Sequence, residues 1–192
     1  MPEVLENTRK EVTRLISKAK LAKNGGIYVE FTLIEKYLEN GEVVLETSGN
    51  STYEGEKLAH PDALHAFDML RVHLAIICDQ REAFEKTLVE VDGDPEIINK
   101  FKVLSYSIGG SGDSEGVSLF GSKKISRNRT MNLPAPFTKF MDENDPYEYG
   151  DELMATIAHV SDEVNKYLDG KIAPSAQGEF DFEGNDGDEN PE

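Results

Sequence analysis

A chain of 192 residues with one cysteine, 37 acids and 20 bases carries a formal charge of −17. That length buries a core without a disulfide or metal staple, and a lone Cys78 cannot form an intrachain bridge. The carboxylate excess repels phosphate and argues against a non-specific DNA or RNA coat, while leaving room for a local basic surface.

Val4, Leu5, Val12, Leu15, Ile16, Ala19 and Ala22 recur three or four apart, which predicts a helix over Pro2–Lys23. Its opposite face would carry Arg9, Lys10, Arg14, Lys18, Lys20 and Lys23. Asn24-Gly25-Gly26 stops it, and from Ile27 the apolar period changes to two. Asn40-Gly41 is a hairpin signal ahead of Val43–Leu45, and the polar stretch from Thr47 to Gly55 reads as loop. His60-Pro61-Asp62 opens a helix whose stripe is Leu64, Phe67, Leu70, Leu74 and Ile77, expected to reach about Phe84. Asp94 is placed to cap a short helix through Ile98.

Strands are expected at Phe101–Ile108, Val117–Ile125 and Thr130–Leu133. Behind Pro146, a last helix with Leu153, Ile157, Val160, Val164, Tyr167 and Leu168 on one side ends at Gly170. Strands come in antiparallel groups and not in alternation with helices. The expected fold is therefore α+β: one domain, residues 1–171, with an antiparallel sheet (a hairpin plus a three-stranded segment) packed with two to three helices.

Residues 172–192 hold seven acids, no lysine or arginine, and only Phe180 and Phe182 as aromatics. So few apolar groups cannot offset the entropy of ordering the backbone, which predicts a disordered acidic tail. Without it the body keeps 30 acids and 20 bases and is acidic in its own right.

No catalytic signature emerges. The glycine-rich loop Gly109–Gly116 follows a strand but leads to another strand, and it lacks the Lys-Ser/Thr pair of a phosphate loop. His65 and His73 are two helical turns apart, too far for one metal ion. Cys78 sits in an apolar run, as a buried thiol does, and the acids from Asp142 to Glu152 suit a helix N-terminus. No metal, cofactor or enzymatic activity is expected. The compact run Lys123, Lys124, Arg127 and Arg129 is a candidate nucleic-acid contact if it meets the N-terminal cations in the fold; the alternative is a solvated hairpin edge. No apolar run reaches the ~18 residues of a membrane span, and no charged segment followed by an apolar stretch opens the sequence, so a cytoplasmic protein is expected.

Within the tail, Gln177-Gly178-Glu179-Phe180-Asp181-Phe182 loosely resembles the peptide with which bacterial replication and repair proteins dock on the sliding clamp, aromatics standing where leucine-type residues are usual. That resemblance implies a protein partner held by Gln177, Phe180 and Phe182. The tail also resembles the partner-recruiting tails of single-stranded DNA-binding proteins, except that ten residues follow Phe182. Ser107–Val117, Gly121–Lys124 and Leu133–Phe140, with the last helix and tail, resemble small, uncharacterised acidic proteins of phages and prophages over roughly residues 101–182. This implies a phage or mobile-element setting and no activity. The expected function is a non-enzymatic accessory protein of phage DNA metabolism that docks through its tail. The alternatives are an acidic nucleic-acid mimic that inhibits a host protein, or a small virion or assembly component.

Overall fold

In a computed structural model, described over residues 9–174 apart from Asn128 and Asp145, the N-terminal segment is a strand and not the expected helix. β1 (Arg9–Leu21) pairs antiparallel with β2 (Ile27–Glu39) along its whole length. One interval of the helical spacing has a physical origin. Ser17 is an extra residue, a β-bulge, so Ile16 and Ala19 face the same way although three apart. Both are buried, whereas Val12 and Leu15 are half exposed.

Asn40 and Gly41 both take positive φ (54° and 86°), and this two-residue turn leads into β3 (Glu42–Glu54). The stretch expected to be a loop from Thr47 is thus mostly strand. Its Ser, Thr and Asn side chains suit an exposed outer edge, where the pairing register along β2 holds them.

The helix begun by Pro61 is broken in two and stops short of the expected Phe84. α1 (Pro61–Met69) and α2 (Arg71–Ile77) are separated at Leu70, and the chain turns away at Asp79, whose φ is +48°. Phe84 is consequently exposed, as is Leu64, while Ala63, Ala66, Phe67, Leu70 and Leu74 are buried. Thr87 and Asp94 cap α3 (Leu88–Asp92) and α4 (Pro95–Ile98). β4 (Phe101–Gly109) and β5 (Gly116–Ile125) form a hairpin across the glycine-rich loop, followed by β6 (Arg129–Pro134) and the two-residue β7 (Thr138–Lys139). α5 (Gly150–Leu168) ends before Gly170, at φ +101°.

The strands form one antiparallel sheet in the order β3-β2-β1-β4-β5-β6, with β7 on β5, and helices cover one face: an α+β fold. Phe67, Leu74, Leu153, Ile157, Val160 and Val164 close over Ile27, Val29, Tyr106, Val117 and Leu119. The Tyr106 hydroxyl meets Ser161 Oγ at 2.8 Å inside this layer. Glu163, nearly buried, is held by Lys166 and Lys171, and Lys171 also reaches Asp62, tying α5 to α1. Beyond the helix, Ile172 bridges to Ala59 and the Ala173 N–H donates to Leu58, so the body extends past the expected boundary at 171.

β1 meets β4 only over Lys18–Lys20, so the sheet has a waist. Residues 9–16 with 31–39 and 42–51 project past the helices as a three-stranded arm. No helix among the described residues is long and apolar enough to cross a membrane.

Candidate nucleic-acid interface

Side chains alternate across a strand, so each core residue on the helix side implies an outward neighbour on the bare side. Register places Glu54, Tyr28, Lys20, Ser105, Phe120 and Pro134 opposite one another, one from each of six adjacent strands. These six form a continuous row across the bare face. Tyr28 and Phe120 are three strand spacings apart, about 14 Å. Lys18, Lys23 and Asn24 complete the wall of an open groove of about 850 Å³ over the row.

The three lysines of the groove are not equivalent. Lys18 Nζ lies 2.8 Å from Glu30 Oε1, which also accepts from the Tyr28 hydroxyl at 3.1 Å, and Lys18 sits 5.8 Å from the Tyr28 ring centroid. These hydrogen bonds hold the Glu30 carboxyl below its ordinary range and push Lys18 and Tyr28 upward. Lys20 and Lys23 make no ion pair among the described residues. Further along the same face, Lys102 lies opposite Ser122, and Lys124 follows Phe120 by four residues, about 13 Å. Phe120 is 38% exposed, an apolar ring kept in solvent between lysines.

The basic run expected to act together is divided. Lys123 points under the sheet into the helix side, only 9% exposed. Its Nζ bonds the Glu82 carboxylate and, at 3.1 Å, Gln80, and lies 5.5 Å from the Phe101 ring centroid. Lys124 projects from the opposite face, Arg127 occupies the turn at φ +62°, and Arg129 donates to Ser126 in that turn. The expected meeting of the N-terminal cations with the β5 run is not made: Lys18, Lys20 and Lys23 line the groove, whereas Lys102 and Lys124 line a separate cleft with Asp68 and Arg71. Gln177, Phe180 and Phe182 lie outside the described residues.

Tyr28, Ser105 and Phe120 were not among the expected site residues. One signal for Phe120 exists in the sequence: with Val117, Leu119 and Gly121 inward, strict alternation turns Phe120 outward. The inward position of Gly121 leaves room for no side chain, because a Cβ there would stand 2.3 Å from Lys102 O and 2.4 Å from Leu74 Cδ2.

The helix layer has the opposite charge. Residues 56–98 contain ten acids and four bases. His73, buried in α2, meets the Tyr147 hydroxyl at 3.0 Å through Nδ1, and burial lowers its pKa to about 4. Burial also pushes the Cys78 thiol up, away from the reactive thiolate. No group of three His, Cys, Asp or Glu among the described residues could hold a metal ion. No protein-family model, curated protein or solved structure matches this chain.

Proposed function

We propose that this chain is a non-enzymatic interaction protein of nucleic-acid metabolism that lays a single strand across its bare sheet face. The observation that carries the reading is the row Tyr28, Lys20, Ser105 and Phe120, flanked by Lys23, Lys102 and Lys124, which make no ion pair among the described residues. Unstacked bases have π-faces for Tyr28 and Phe120, and lysines between and beside the rings suit the phosphates of the same strand. A duplex, with its bases stacked inside, offers no partner for the rings. The phage or mobile-element setting rests on the sequence resemblance, as does recruitment of a sliding clamp or repair protein through Gln177, Phe180 and Phe182, and the cytoplasmic setting on the sequence's lack of a long apolar run.

A second reading, an acidic mimic of nucleic acid, is favoured by the carboxylate-rich helix layer opposite the groove. Titrating labelled single- and double-stranded oligonucleotides at two salt concentrations separates the two. The expected result is preference for the single strand, with log K falling against log salt by about 0.7 for each phosphate that a lysine neutralises. Lys20→Glu with Lys23→Glu should flatten that slope. Phe120→Ala should cost about 1–3 kcal/mol of binding while leaving the slope unchanged. Absence of binding to either oligonucleotide at low salt would move the weight to the mimic.

A further inference from the structure

We propose that the groove has a built-in occupant, the chain's own acidic C-terminal segment, which competes there with the single strand. The inference rests on the single-strand reading of the groove. It starts from where the described chain ends. The bridge of Ile172 to Ala59 and the Ala173 N–H bond to Leu58 lay the end of the described chain on the Leu58–Ala59 segment, and that segment is bonded in turn to the Ala22–Gly26 turn through the Ala59 N–H and Gly25 O. That turn carries Lys23 and Asn24, the groove's wall, and Asn24 Nδ2 donates to Gly55 O across it.

Reach and charge both fit. Eighteen residues follow Pro174, and Phe180 is six residues on, up to about 20 Å of extended chain. The row from Tyr28 to Phe120 spans about 14 Å. The segment contains seven acids and no base, against Lys20 and Lys23, which have no ion pair among the described residues and outnumber the one carboxylate in the row, Glu54 at its β3 end.

The order of residues is the more specific match. Glu179-Phe180-Asp181-Phe182-Glu183 alternates carboxylate and aromatic. In extended backbone this puts two rings on one side, about 7 Å apart, and three carboxylates on the other. Rings would lie on the exposed Tyr28–Phe120 row and carboxylates would meet the long lysines at its rim. A single strand offers the groove the same two chemistries, base faces and regularly spaced anions. Tethering gives the segment an effective concentration on the order of millimolar. A contact of only about 0.1 mM intrinsic affinity would then fill the groove roughly nine-tenths of the time and weaken strand binding about tenfold.

The test compares the full chain with a full-length variant carrying Glu179→Gln, Phe180→Ala, Asp181→Asn, Phe182→Ala and Glu183→Gln. Two readouts are taken: NMR shifts of the Lys20, Tyr28 and Phe120 signals without nucleic acid, and affinity for a labelled single-stranded oligonucleotide. The expected result is a shift change at those signals and roughly tenfold tighter oligonucleotide binding by the variant, a gain that shrinks as salt rises. A synthetic 175–192 peptide added to the variant should restore the original shifts. Shift changes with no oligonucleotide binding by either protein would uphold the tail contact and remove the nucleic-acid reading. Oligonucleotide binding equal in both proteins, with unchanged shifts, would overturn the tail contact and leave the nucleic-acid reading standing.

Discussion

The arm and the body share strands but are held by different physics. In the body each strand alternates: Ile27 and Val29 are wholly buried, and Tyr28 between them faces the groove. Past the waist the same β2 has no fully buried residue, and Val12, Leu15, Val43, Val44 and Leu45 are 48–54% exposed. The arm is held by register and cross-strand pairs, such as Lys10 with Glu35 at 2.7 Å and Lys36 with Glu46 at 3.3 Å. Arg14, 2.6 Å from Asp169 at the end of α5, ties its root to the body. Hydrogen-bonded pairing therefore extends a sheet well beyond its helix cover, but burial is confined to the covered part. The long outer edge of β3 is blunted only by its bulge at Val44 and by Glu42, Glu46 and Glu54.

This contrast can be broken by mutation. Phe67→Ala in the covered layer should lose about 3–5 kcal/mol in urea unfolding, whereas Val44→Ala in the arm should lose less than about 0.5. Similar losses at both positions would mean that the arm is packed in solution.

Acid sharpens it. His73 is kept neutral by burial, its pKa lowered from 6.5 to about 4, so between those values the unfolded chain binds more protons. Stability is full above about pH 6.5 and falls as pH drops towards 4, by on the order of 3 kcal/mol. His73→Gln should flatten this slope. Hydrogen exchange corrected for its intrinsic pH dependence should show the loss in body strands and not at arm amides, which exchange by local opening. A slope unchanged by the substitution would assign the effect to another group.

The smallest effect concerns two ion pairs. Glu82→Gln leaves the nearly buried Lys123 without its carboxylate and should cost about 1.5–3 kcal/mol in melting experiments. The Glu82 carboxyl is held below its ordinary range, chiefly by Lys123, so its contribution is present above the ordinary carboxylate pKa and lost in stronger acid. Glu35→Gln, whose partner Lys10 stands in solvent, should leave the melting temperature unchanged. A loss at Glu35 matching that at Glu82 would erase the distinction between arm and body.

The sequence by itself determined the features that reside in a few adjacent residues. Asn40-Gly41 specified its turn because those residues tolerate positive φ, Asp94 its cap, Gly170 its helix stop, and the stripe from Leu153 to Tyr167 its buried face. The antiparallel grouping of strands was legible for the same reason. Only the tertiary structure decided the rest. The bulge at Ser17 gave Ile16 and Ala19 a helix-like spacing within a strand, and partner strands held the polar β3 extended. Alternation along β5 turned Lys123 inward with Leu119 and Gly121, out of the basic run to which its neighbours assigned it, and Glu82 and Gln80 pair with it there. The candidate site depends most on tertiary structure: Tyr28, Lys20, Ser105 and Phe120 come from four strands, and register alone aligns them. Backbone preference is a property of the residue, but the direction in which a side chain faces depends on what the sheet pairs with and what the helices cover.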